Sequence, residues 1–223
     1  MNDNARAEHG DEASSEDAAA TAPERAARRG LPIALLVGVA LIVYLVDQLS
    51  KNWVVANLTE GQSVQVIGDF LQWHFVRNPG AAFSIASGAT WVFTILAAAV
   101  VGAILWQIRR LGSRSWALFF GLLLGGVLGN LTDRLLREPG FPVGHVVDFI
   151  LTPWMWPGMN PAIYNVADIG IVSAMLLFVV ITFRGLPITG GPRRPDRRPA
   201  TDGIADRADE SSPESARGGA GAG

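Results

Sequence analysis

Four apolar runs, each long enough with its flanks to cross a bilayer, limit what this chain can fold into. Leu31 to Val46 is uncharged and continues through Asp47 to Trp53. Trp91 to Ile108 carries no charge. Neither does Trp116 to Leu131, which runs on to Leu136. Ile163 to Phe183 is apolar apart from Asn165 and Asp168. A helix needs roughly 20 residues to cross the hydrocarbon core. Only helices and closed barrels satisfy their backbone in lipid, and these runs are too continuous for alternating barrel strands. The chain therefore reads as a mainly α membrane protein with four transmembrane helices. Residues 1–30 and 186–223 are rich in Ala, Gly, Pro, Ser, Asp, Glu and Arg without apolar periodicity. They bury too little surface to offset ordering entropy and read as disordered cytoplasmic tails. Residues 31–185 read as one membrane domain.

Basic residues orient the spans. The short loop between the second and third runs holds Arg109, Arg110 and Arg114, and both outer flanks of the domain are rich in Arg. Both termini are therefore expected in the cytoplasm, in a multi-pass protein of the cell membrane. Two longer loops then lie outside. In the first, Ser63 to Ile67 and Phe70 to Phe75 alternate or are aromatic and read as strands. Asn78-Pro79-Gly80 is a turn signal. A small extracytoplasmic β element is expected there. Residues 137–162, rich in Pro, Gly and Trp, read as a second outer loop.

That topology brings polar groups to one depth, near the outer face. The first helix meets Asp47 and Lys51 at its outer end, and the third meets Asn130, Asp133 and Arg134. The fourth meets Asn165 and Asp168 soon after it starts, and Asp148 lies in the connection feeding it. Asp47 and Lys51 are i,i+4, as are Asn130 and Arg134; Asn165 and Asp168 are i,i+3. Gly121, Gly125 and Gly129 form a small-xxx-small face that lets the third helix approach a neighbour closely. Asp47–Lys51 reads first as a structural pair. Arg134 either snorkels to headgroups or orders a loop or ligand. Asn78 reads as a turn residue, His145 as a loop residue, and Asp133 as facing the aqueous rim. Asp168, three residues beyond Asn165 inside an apolar span, is costly to bury and so points to function. Asp148, between Val147 and Phe149, resembles it.

The sequence has no cysteine, which excludes disulfides and thiolate catalysis. Its three histidines are scattered, with no zinc-protease motif. No phosphate-binding loop appears, nor a basic face for nucleic acid. No cofactor or metal is expected. Two close carboxyls in a poorly solvated site share one proton: the ionised partner activates water, and the protonated one polarises a carbonyl. Intramembrane carboxylates also serve proton relays, so a proton-coupled transporter is the alternative. Against it, the second helix carries no polar feature, there is no inverted repeat, and the polar set stays on one side of the membrane.

Five blocks resemble bacterial lipoprotein signal peptidase (signal peptidase II), in the family's order. They are Asp47-Gln48-Leu49-Ser50-Lys51, Arg77-Asn78-Pro79-Gly80-Ala81-Ala82-Phe83-Ser84, the Gly125 to Arg134 segment, Val146-Val147-Asp148-Phe149 and Asn165-Val166-Ala167-Asp168. The resemblance implies an aspartyl membrane endopeptidase. It would cut the signal peptide from a prolipoprotein, on the amino side of a diacylglyceryl-modified Cys. It implies Asp148 and Asp168 as the catalytic dyad. Asn130, Arg134 and Asn165 would support the dyad or bind substrate and lipid. Asn78 and Gly80 would lie in the β element over the site, with Asp47 and Lys51 structural or near the substrate. The expected partners are lipid-modified prolipoproteins and membrane lipid, with the enzyme acting as a monomer.

Overall fold

A computed structural model describes residues 22–80 and 90–190, with side chains from Gly30 onward. Among these residues four helices are long and apolar enough to cross a membrane. They are α1 (Ala22–Asn57), α2 (Thr90–Gln107), α3 (Arg114–Leu136) and α4 (Val166–Phe183). Strands β1 (Ser63–Ile67) and β2 (Leu71–Asn78) follow α1, and β3 (Val146–Leu151) and β4 (Ile163–Tyr164) separate α3 from α4. The four strands make one antiparallel sheet in the order β1-β2-β3-β4.

The central helix is α3. Half of its apolar span is buried, against 22% for α1 and α4 and 11% for α2. Glycine is what lets the neighbours close on it. A Cβ at Gly121 would stand 2.8 Å from the Val39 Cβ, and one at Gly125 2.6 Å from the Ala40 carbonyl oxygen. At Gly126 it would stand 2.5 Å from the carbonyl oxygen of Ala167 on α4. The expected small-residue face thus packs α3 on α1, while Gly126 serves α4. The α1 side of this contact is a stripe of buried residues at helical spacing: Leu36, Ala40, Asp47, Lys51 and Val54. Leu41, Ile42, Leu45, Val46 and Leu49 remain exposed on the opposite side, as a lipid-facing surface requires.

The sheet rests on the far end of α1. Val54 packs with Phe75, Val147, Phe149 and Ile150 in a second apolar cluster. Every residue of β3 is buried. This corrects the reading of residues 137–162 as a loop. Val146 to Leu151 is a short apolar run of strand length, which periodicity alone does not distinguish from other buried segments. The first outer loop forms the hairpin expected of it, with β2 running three residues further than predicted, to Asn78.

Helix passes the expected N-terminal domain boundary, and packed residues follow the expected C-terminal one. The α1 helix begins at Ala22. After α4, Leu186 and Ile188 pack against the core. The Gly112 and Ser113 amides donate to the Ile188 carbonyl (2.9 and 3.0 Å), and Trp116 Nε1 donates to that of Leu186 (2.8 Å). The rest of the expected tails, and Ala81 to Ser84 of the second sequence block, lie outside the described residues.

The glycine contacts predict a selective cost. Gly125→Ala forces a methyl against the α1 backbone and should destabilise by about 1–3 kcal/mol. Gly38→Ala, where a Cβ meets nothing within 4 Å, should not. Melting temperatures of the two variants in detergent micelles check this; equal melting would mean that α1 and α3 do not approach as described.

Candidate active site

Two carboxyls approach one another from different elements. Asp148 stands on β3, where Val76 faces it across the ladder and Asn78 pairs two residues away with Val146. Side chains two apart share a face, so the Asn78 amide reaches Asp148 diagonally and donates to its Oδ2 at 2.8 Å. Asp148 was expected in a loop; the strand instead fixes it by ladder bonds on both sides. Asp168 lies in the first turn of α4. Asn165 caps this helix, accepting from the Asp168 amide (3.0 Å) while the Asp168 Oδ2 accepts from the Asn165 amide (3.1 Å). This reciprocal cap fixes the backbone and carboxyl of Asp168 together.

Asn165 also joins the pair. Its Nδ2 donates to Asp148 Oδ1 at 2.6 Å and to Asn130 Oδ1 at 3.2 Å. Asn130 Nδ2 in turn donates to Asp168 Oδ1 at 2.8 Å. Each carboxyl therefore receives donors on both oxygens. Burial pushes the Asp148 carboxyl up from 3.8 to about 7, helped by the charge of Asp168 and opposed by the Asn78 and Asn165 amides and Lys51.

Both carboxyls line a cavity of about 280 Å³. Asn78, Asn130 and Arg134 share its polar end, and Phe93, Leu96 and Val100 of α2 supply much of its apolar wall. Arg134 is buried, with its guanidinium 5.2 Å from the centre of the Phe93 ring. Its Nη1 has no hydrogen-bond partner among the described residues. Arg134 lines the cavity and is not extended into the exposed position that snorkelling to headgroups requires. Gly80, at φ +101°, donates its amide to Asn78 Oδ1 (2.8 Å) and leaves room for Phe93, which a Cβ would meet at 2.7 Å.

Behind the carboxyls lies a second polar layer. Asp47 and Lys51 are fully buried, with Lys51 Nζ 2.8 Å from Asp47 Oδ2 and 2.8 Å from Asp133 Oδ2. The same ammonium donates to Asn130 Oδ1 at 2.9 Å. Asp133 was expected at the aqueous rim; it is fully buried, and Arg137 Nε also bonds it at 2.6 Å. Its i,i+4 spacing to Arg137 was a signal for this pairing. Gln48, unmarked by the sequence reading beyond its place in the first block, donates to Asp47 Oδ2 (3.1 Å) and the Gly129 carbonyl (3.0 Å). The contribution of α2 was missed as well, because an uncharged helix gives no sign of which residues line a cavity.

The arrangement places two carboxyls in one partly apolar cavity, held by amides and backed by a charge-balanced ion cluster. Residues 39–184 match the family model of signal peptidase (SPase) II, Peptidase_A8. The lipoprotein signal peptidase of Leifsonia xyli subsp. xyli is 54% identical over 162 residues, which cover 73% of this chain and 73% of that protein. That of Mycolicibacterium smegmatis is 46% identical over 177 residues, covering 79% and 72%. A bacterial membrane enzyme solved by the in meso method at 1.9 Å resolution superposes with a TM-score of 0.61 at 29% identity, covering 68% of this chain and 94% of that one. With five sequence blocks, four spans and this extent of similarity in agreement, the chain belongs to the signal peptidase II family of aspartic peptidases.

Proposed function

We propose that this chain removes the signal peptide from diacylglyceryl-modified prolipoproteins, cutting on the amino side of the lipidated Cys, with Asp148 and Asp168 as the catalytic pair. One observation carries the reading. Both carboxyls open into a single cavity, beside Asn78, Asn130 and Arg134, and most of its other lining is apolar side chains from membrane helices. Such a cavity suits a peptide bond next to acyl chains. A proton-coupled transporter would need ionisable groups continuing through the bilayer, and α2 carries none.

The chemistry follows from one shared proton. The ionised carboxyl takes a proton from a water molecule, whose oxygen attacks the scissile carbonyl carbon. The protonated carboxyl gives its proton to the carbonyl oxygen as the tetrahedral intermediate forms. The intermediate then collapses. The carbon–nitrogen bond breaks, the hydroxyl proton returns to one carboxyl, and the other carboxyl protonates the amine of the lipidated Cys. Burial raises the Asp148 carboxyl, which favours keeping one shared proton on the pair at neutral pH. Asn78, Asn130 and Asn165 hold the two carboxyls, and Arg134 offers a charged donor to the substrate. The dyad's macroscopic titration belongs to the pair.

A cleavage assay with the purified chain tests the reading. A lipid-modified prolipoprotein peptide should be cut before its Cys, and the unmodified peptide far more slowly. Asp148→Asn and Asp168→Asn should each abolish turnover, and the double variant should be no worse, because groups acting as a unit are non-additive. Equal cleavage of both peptides would remove the lipid from the reading, and activity in either variant would remove that carboxyl from the chemistry.

Asp148 also makes stability depend on pH. Its carboxyl ionises near 3.8 when unfolded and near 7 when folded, so the folded state holds the extra proton between those values. The associated stability is complete below the lower value and is lost as pH rises through the upper one. Asp148→Asn lacks this loss. Its melting temperature should gain on the wild type between pH 5 and pH 8; parallel curves would contradict the burial argument.

The basic 109–114 loop and Arg-rich flanks support cytoplasmic termini and an active site near the outer face. A reporter fused after Gly185 should be active in the cytoplasm, and one inserted at Gly61 outside it. The reverse pattern would invert this orientation.

A further inference from the structure

We infer that Lys51 is a positioning residue, acting through Asp47, Asp133 and Asn130 to set the separation and orientation of Asp148 and Asp168. The inference rests on the reading of those two aspartates as the catalytic pair. Neither carboxylate bound to Lys51 stops at the ion pair. Asp47 Oδ1 accepts from the amide of Ala167 at 2.9 Å. Asp133 Oδ2 accepts from the amide of Val147 at 3.2 Å. Ala167 and Val147 are the residues immediately before Asp168 and Asp148. One ammonium, 2.8 Å from each carboxylate, thus ties the backbone of α4 to the backbone of β3 just where each element presents its catalytic side chain.

The third arm acts on a side chain. Lys51 Nζ donates to Asn130 Oδ1 (2.9 Å), which also accepts from Asn165 Nδ2 (3.2 Å). With its oxygen so committed, Asn130 turns its amino group to Asp168 Oδ1 (2.8 Å). An ammonium has three protons, and the three acceptors use them all. Water does not compete, because Lys51 is fully buried.

Holding helices together does not require this design. Buried ion clusters are a poor source of stability, and well-packed apolar residues often serve as well. What an ammonium adds is fixed directions and distances among three acceptors that belong to different elements. The cluster is also balanced: Asp47 and Asp133 face Lys51 and Arg137.

That balance supplies the test. Lys51→Met alone strands a buried carboxylate and loses stability. Lys51→Met/Asp47→Asn leaves Asp133 paired with Arg137, and the asparagine oxygen can still accept from Ala167. The double variant should melt higher than Lys51→Met. Its kcat on the lipid-modified peptide should nonetheless fall by on the order of 10–100-fold, the scale for removing an orienting group. KM should stay within about twofold of the wild type, because the cavity wall is untouched. A purely structural role predicts kcat recovering with stability. Wild-type kcat in the folded double variant, or a loss confined to KM, would overturn the inference. If the double variant does not fold, Asp47→Asn carries the same test: kcat reduced with KM held, against kcat unchanged. Failure of the wild-type chain to cut the lipid-modified peptide would instead fall on the proposed function, and this inference would fall with it.

Discussion

A lysine ammonium shut away from water, with two carboxylates 2.8 Å from it, is the constraint around which this fold is arranged. A buried charge must be matched and fully hydrogen-bonded or it unfolds its surroundings. Meeting that demand fixes the relative positions of α1, α3, β3 and α4, because each supplies a partner or is held by one. Asp47 and Lys51 come from α1, Asp133 and Asn130 from α3, and the Val147 and Ala167 amides from β3 and α4. The two carboxyls proposed as the catalytic pair, Asp148 and Asp168, hang from the last two elements. The Val147 and Ala167 amides that precede them are bonded to the two carboxylates of the Lys51 cluster.

Glycine makes the cluster possible. Asp47 can lie against α3 only because Gly129 has no side chain: a Cβ there would meet the Asp47 Oδ2 at 2.5 Å. Gly121, Gly125 and Gly126 bring α1 and α4 close enough for their polar residues to reach across. In lipid, where apolar side chains gain nothing by leaving solvent, such close contacts and interhelical hydrogen bonds are what hold helices together. One feature of α3, its run of small residues, thus serves both helix packing and the polar cluster. By contrast α2 packs less of its surface and contributes much of the apolar wall of the cavity.

Much of this was legible in the residues. The four spans follow from uninterrupted apolar runs, and the glycine face from its period of four. Asp168 stood out because a carboxylate in an apolar span needs a reason. Asn130 and Asn165 were marked by depth and helical spacing. What escaped was set by contacts between distant parts of the chain. Depth put Asp133 at the right level but could not say which way it faced. The bond from Ala167 to Asp47 spans 120 residues and leaves no periodic trace. The β3 strand was hidden because its apolar run is short, is broken by Asp148, and lies among Pro, Gly and Trp residues that signal turns. Asn78 looked like a turn residue because its role depends on pairing with that unseen strand.

In the proposed reaction the two carboxyls activate water directly, without a covalent acyl intermediate on either one. Oxygen tracing tests this most directly. A single turnover of the lipid-modified peptide in heavy-oxygen water, followed by mass spectrometry of the released signal peptide, reports where the new carboxyl oxygen came from. Direct attack by water predicts one heavy oxygen in every product molecule from the first turnover. A first-turnover product carrying ordinary oxygen, with the label appearing in the enzyme's own Asp148 or Asp168, would contradict it.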